Sequence, residues 1–138
     1  MSKTFLLEIV TPERVLISEE VEEVICPGTD GEFGVLPDHS YLMTSLSPGV
    51  IIYKKDGEKT IVASGGGFAE VGPNKTTLLV DRGVFATEIN LEDAKTRVSE
   101  SAKAMEGKTM EDEGYLKAFS DNTTAKVDVK AAEMEAAK

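Results

Sequence analysis

The chain has one cysteine, Cys26, and one histidine, His39, among 138 residues. A single thiol can make no intramolecular disulfide, so the fold has to be held by its core, and a reducing cytoplasm suits it best. With His39 only 13 positions from Cys26, no recognisable zinc ligand set exists and no metal is expected. Basic side chains are outnumbered, 15 against 25, for a net charge of −10. A surface of that sign repels phosphate backbones and anionic lipid heads, which argues against nucleic acid as a partner and against direct lipid insertion. No run approaches the roughly 18 apolar residues of a membrane span. The apolar stretch Phe5-Leu6-Leu7 is stopped by Glu8, too early for a secretory leader, so a soluble, unprocessed chain is expected. Internal repeats are absent, which excludes a solenoid.

What is present divides unevenly. All five prolines and ten of the twelve glycines lie at or before Gly83, whereas nine of the twelve alanines lie at or after Ala94. A turn-rich, β-branched unit over 1–88 therefore precedes a helical unit over 89–138. Phe5 to Val10 and Val21 to Cys26 read as strands. Gly49 to Lys55 and Glu58 to Ala63 flank Asp56-Gly57, a tight-turn pair, and Phe68 to Val71 and Thr76 to Val80 flank Gly72-Pro73-Asn74. Short strands with turn signals every 8 to 12 residues or so indicate an antiparallel sandwich or barrel. Asn90 can cap a first helix with the stripe Leu91, Ala94, Val98, Ala102 and Met105, closed by Gly107. Thr109 and Asp112 repeat the start signal for a second, with the stripe Leu116, Phe119, Thr123, Val127, Ala131 and Met134. A link of about three residues makes this an antiparallel helical hairpin.

Catalytic chemistry is hard to find. Asp38-His39-Ser40 has triad chemistry, but adjacent residues cannot converge on one another, so a low-ranked enzyme reading gives way to a structural loop histidine. Gly107-Lys108-Thr109 lacks the earlier glycine and preceding strand of a phosphate loop, and reads as a helix end. Gly65-Gly66-Gly67 reads as a bulge or a close backbone approach. Asp30-Gly31-Glu32-Phe33-Gly34 lacks the later ligands of a calcium loop and reads as a turn with Glu32 exposed. No catalytic residue and no cofactor are expected; function has to lie in contacts.

Four segments carry a resemblance. They are Glu8-Ile9-Val10-Thr11-Pro12-Glu13-Arg14, the run from Pro27 to Ser40, Leu46-Ser47-Pro48-Gly49-Val50, and Ser64-Gly65-Gly66-Gly67-Phe68-Ala69-Glu70-Val71. In this order they resemble the epsilon subunit of bacterial and chloroplast F-type ATP synthase, over nearly the whole chain. The resemblance implies an α+β fold, a sandwich of about ten strands followed by a two-helix hairpin. It also implies a non-catalytic subunit of the rotor's central stalk, peripheral at the cytoplasmic face of the bacterial inner membrane within the F1 sector. Its partners would be the gamma subunit, the polar loops of the c-ring and, through the hairpin, the catalytic beta and alpha subunits. By motif position Asp30, Gly31 and Glu32 would face the ring, and Thr11, His39 and Thr44 would lie near gamma.

In that family the hairpin regulates hydrolysis, folded on the sandwich or extended into the catalytic head, and some members bind ATP through Ile/Leu-Asp-x-x-Arg-Ala. Here the matching stretch is Leu91-Glu92-Asp93-Ala94-Lys95-Thr96, so a site at Leu91, Glu92, Lys95 and Thr96 would be weak, Lys lacking the planar fork of Arg. An ATP-sensing module acting mainly through the hairpin is the alternative. Residues 89–138 carry 8 basic and 11 acidic side chains, which disfavours a polyanion. Glu111, Asp112, Glu113, Asp121, Asp128, Glu133 and Glu135 would be repelled by the acidic beta segment that the extended helix meets, and the poor helix formers Ser120 to Thr124 weaken that helix further.

Overall fold

A computed structural model describes residues 3–138; Met1 and Ser2, at the head of the stretch considered as a leader, lie outside the described residues. Strand β1 (Phe5–Val10) alternates, burying Phe5, Leu7 and Ile9 while Leu6, Glu8 and Val10 stay partly open. The Thr11–Arg14 turn returns it into β2 (Val15–Val21), a strand without a clear mark in the sequence. The single strand expected over Val21–Cys26 is broken: Val21 ends β2, and β3 (Glu23–Gly28) carries Val24 and Cys26. Glu22 makes the break, its N–H donating to the Lys54 carbonyl at 2.7 Å and its carboxylate accepting the Gly57 N–H at 2.9 Å. β4 (Gly31–Val35) pairs back on β3 around Thr29-Asp30, so Gly31-Glu32-Phe33-Gly34 is strand and the turn lies just before it.

β5 (Leu42–Lys55) and β6 (Glu58–Val71) are 14 residues each and form one hairpin at Asp56-Gly57, whose φ angles of 52° and 82° suit the primed turn expected there. β7 (Lys75–Val80) and β8 (Gly83–Phe85) complete the sheet, in the order β2-β1-β7-β6-β5-β3-β4 with β8 on β6. One pairing departs from the antiparallel pattern: β1 and β7 run parallel, which the long chain between them permits. Eight strands serve where about ten were expected, because β5 and β6 each work in two layers. On β5 the inward residue is Leu46 before Pro48-Gly49 and Ile51 after it, and on β6 inward Val62 gives way to Ala69 across Gly65-Gly66-Gly67. Of the two readings of the glycines, the close backbone approach holds, since the β5–β6 register runs through them without a shift: at Gly67 a Cβ would collide with the Leu79 carbonyl, and at Gly66 (φ 81°) it would lie 3.1 Å from the Leu46 carbonyl. Phe5, Leu7, Ile9, Val24, Ile51 and Leu78 anchor the core between the layers.

A 3-10 turn (Ala86–Glu88) leads to α1 (Leu91–Met105), capped as expected by Asn90, whose Oδ1 accepts the Asp93 N–H at 2.9 Å. Gly107, at φ 70°, follows its end. The second start signal differs from expectation. Thr109 N–H donates to Asp112 Oδ2 at 2.6 Å, but this closes a turn inside a link spanning 106–114, and α2 (Tyr115–Ala136) begins after Gly114 at φ 82°. The link is thus nine residues, not three. The stripes are also only half right. Val127, Ala131 and Met134 pack as expected, but Leu116 and Phe119 are 61% and 53% exposed, and Ala102 is exposed. Ala118, Asn122, Ala125 and Asp128 take the buried positions of α2. The poor formers Ser120 to Thr124 stay helical because tertiary bonds outweigh propensity: Asn122 Nδ2 donates to Ser101 Oγ at 3.1 Å and to the Val98 carbonyl at 3.3 Å.

Candidate functional site

The two layers present outer faces of opposite character. On one, Val50, Ile61, Ala63 and Ala86 are buried under Val127, Ala131 and Met134 of α2. On the other, no element among the described residues covers the sheet. Register places Phe68, Leu79, Val10 and Val15 side by side on β6, β7, β1 and β2, with Met43 one row along on β5. Phe68 is 61% exposed, Leu79 51%, Val15 57% and Met43 72%, with Val10 half-buried among them. Charge enters on the row of Met43, where exposed Glu70 is its direct partner and Glu8, two strands further on, takes Lys75 Nζ at 3.1 Å and the Ser18 hydroxyl at 3.3 Å. Beyond Met43, Tyr41 stands out at 85% exposure over a groove of about 510 Å³ bordered by Glu70, Pro73 and Lys75. A band of large apolar side chains on this scale marks a surface for a partner.

The residues marked by motif position fall around this face unequally. Thr11 is buried at the β1–β2 turn, beyond Val10, its N–H and hydroxyl both donating to the Arg14 carbonyl, at 2.8 and 3.2 Å. His39 lies in the loop before Tyr41, half-buried, its Nδ1 2.7 Å from the Ser40 carbonyl. The loop is tied to the β6–β7 turn by Asp38 N–H donating to the Pro73 carbonyl at 2.9 Å, and this backbone contact gives His39 no triad partner. Thr44 faces the other way, on the row of buried Ala69 and Leu78, and is half-buried. Asp30, Gly31 and Glu32 are all exposed together at the tip of the β3–β4 hairpin on the open edge of the sheet. The sequence reading missed the apolar band itself. Phe68, Leu79, Val10 and Val15 lie far apart along the chain, and only strand register brings them together.

The stretch Leu91, Glu92, Lys95 and Thr96 is occupied with itself. Lys95 Nζ lies 3.7 Å from Glu92, the Thr96 hydroxyl donates to the Glu92 carbonyl at 3.0 Å, and Leu91 is half-buried. The guanidinium groups nearby converge instead on one carboxylate. Arg82 donates to both oxygens of Asp128, at 3.0 and 2.9 Å, and Arg97 to the second at 3.1 Å. Asp128 counts in the sequence as one more acid on a helix, yet its side chain is 1% exposed. Burial pushes the Cys26 thiol up to about 12, so it stays protonated and unreactive at neutral pH. No group of three or more potential metal ligands exists among the described residues.

Residues 4–86 match the family described as ATP synthase, Delta/Epsilon chain, beta-sandwich domain. The chain is 40% identical to the ATP synthase epsilon chain of Geotalea uraniireducens over 83% of each chain. It is 44% identical to that of Nitratidesulfovibrio vulgaris over 69% of this chain and 71% of the relative. The fold is shared with a chain in the Euglena gracilis mitochondrial ATP synthase assembly of OSCP, F1 and c-ring, at a TM-score of 0.74 and 22% identity over 99% of this chain and 82% of that one. It is also shared with a chain in the central stalk and c-ring structure from Tetrahymena thermophila, at a TM-score of 0.59 and 14% identity over 95% and 97%. The chain therefore belongs to the family of ATP synthase epsilon chains, which are subunits of that complex and not themselves its catalysts.

Proposed function

We propose that the chain is a central-stalk subunit that couples c-ring rotation to the catalytic head through gamma. The observation that carries this reading is the asymmetry of the sandwich: α2 covers one outer face and leaves Met43, Phe68, Leu79, Val10 and Val15 open on the other. Burying those five side chains against a partner would return roughly 1.5–3 kcal/mol for each that is fully covered. The gamma subunit fits that face, with Thr11 and His39 near its two ends, while Thr44 lies on the inner side of β5 and has no direct reach to it. Asp30, Gly31 and Glu32, on the exposed edge tip, are then free to meet the polar loops of the c-ring. Such a chain is peripheral, at the cytoplasmic face of the inner membrane in the F1 sector; no helix among the described residues is long and apolar enough to cross a membrane.

The hairpin is then a weak regulator of hydrolysis, meeting the beta and alpha subunits when it leaves the sandwich. Nucleotide sensing is the poorer reading, since both arginines beside the helices are committed to Asp128 and Lys95 to Glu92. A tagged chain recovered from gently solubilised membranes should bring gamma and the catalytic subunits with it. Recovery of the chain alone would overturn the reading.

A further inference from the structure

We propose that Asp128 is the latch that fixes the hairpin on the sandwich, and that its hold depends on two cations arriving from different elements. The hairpin has two seams of unlike chemistry. Between α2 and the sheet the contacts are apolar, with Val127, Ala131 and Met134 on Val50, Ile61 and Ala63. Between α1 and α2 the buried residues are Ala94 and Ser101 on one side and Ala118, Asn122 and Ala125 on the other, so little apolar area is gained there. That seam relies on polar bonds: Asn122 Nδ2 donates to the Val98 carbonyl and the Ser101 hydroxyl, and Arg97 donates to Asp128, the one member of this set that also reaches the sandwich.

Asp128 is the one carboxylate buried among the described residues, and three guanidinium N–H groups reach it. Arg82 comes from the turn between β7 and β8, and Arg97 from α1, where it also lies 3.5 Å from Asp93. One side chain of α2 therefore ties the sandwich and α1 together. The glycine run seats the first of these cations. Gly65 N–H donates to the Arg82 carbonyl and Asp81 N–H to the Gly66 carbonyl, both at 2.9 Å, and a Cβ at Gly65 would lie 3.1 Å from the Arg82 Cβ.

The partners are unequal. Arg82 and Arg97 are 35% and 39% exposed and can turn to water if the carboxylate is removed, whereas Asp128 at 1% cannot if a guanidinium is removed. Removing Arg82 should therefore open the hairpin more than neutralising Asp128 does, and neutralising Asp128 should rescue the loss of Arg82. Simple loss of packing would not give that rescue. As a regulatory device the latch rests on the proposed role of the hairpin; as a positioning contact it stands without that role.

Amide hydrogen exchange on the full isolated chain tests it. Arg82→Gln should speed exchange across α1 and the first half of α2 by about 10- to 100-fold, the range for lost bonds to a buried charge, while β5 and β6 keep their protection and report an intact sandwich. Gly65→Ala, which presses on Arg82 without changing any charge, should act in the same direction more weakly. Adding Asp128→Asn to Arg82→Gln should recover most of the protection. Wild-type exchange in Arg82→Gln, or a double variant as open as the product of the singles, would overturn the latch. ATP hydrolysis by the catalytic head reconstituted with these variants separates the two claims: helices that open without any change in hydrolysis would refute the regulatory reading and leave the latch standing.

Discussion

Thr76 is fully buried on β7, and its hydroxyl has no hydrogen-bond partner among the described residues. A buried hydroxyl without a partner is a net cost, so Thr76→Val, nearly isosteric, should raise stability by about 1 kcal/mol in urea unfolding. A loss of stability would mean the hydroxyl has a role these contacts do not capture. Cys26 gives a pH signature. Its thiol is held near 12 against an ordinary 9.0, so the folded state keeps a proton that the unfolded chain releases. That contribution is intact below pH 9 and is lost as pH rises toward 12, at up to about 1.4 kcal/mol per pH unit. Cys26→Ala should therefore flatten the alkaline fall of the unfolding midpoint, and parallel curves would contradict this. Glu32, exposed at the edge tip, is expected to act in coupling and not in folding. Glu32→Lys should leave the melting temperature nearly unchanged while weakening ATP-driven proton pumping; wild-type pumping would remove Glu32 from the ring contact.

At the scale of elements, the hairpin's contacts divide along α2. Phe119→Gln should change stability by no more than about 0.5 kcal/mol, because Phe119 is already exposed, whereas Ala131→Glu sets a charge against Val50 and Ile61 and should undock the helix. Near-UV and exchange measurements that ranked the two the other way would refute the assignment of faces. The sandwich is expected to own its core: a chain ending at Glu88 should keep a cooperative transition and a β-type circular dichroism spectrum, and an aggregated or molten product would contradict that boundary. Local chemistry was legible here. Asn90 capped its helix, Asp56-Gly57 turned its hairpin, and the glycine run marked a close approach. What was not legible depended on tertiary bonds. The α2 stripe failed at Leu116 and Phe119 because Asn122 and Asp128 are drawn inward by Ser101, Arg82 and Arg97, and neither charge counting nor helical spacing can show such partners.

For the whole molecule, the sandwich is a two-sided plate with its own helices on one side and an open apolar band on the other. The motif residues of the sequence bracket that band without revealing it, since it exists only once β6, β7, β1 and β2 lie in register. With Arg82 and Arg97 committed to Asp128 and its net charge at −10, the chain should bind ATP at millimolar strength or not at all by titration, and deleting residues 89–138 should raise hydrolysis by less than several-fold. Micromolar affinity or a several-fold rise would refute that. The central claim is that the open face seats gamma, and it is tested most directly by titrating purified gamma against the wild-type chain and a Phe68→Glu/Leu79→Glu variant whose own folding is intact. Placing two charges in a desolvated interface should weaken binding by about 100-fold or more. Unchanged affinity would contradict the account.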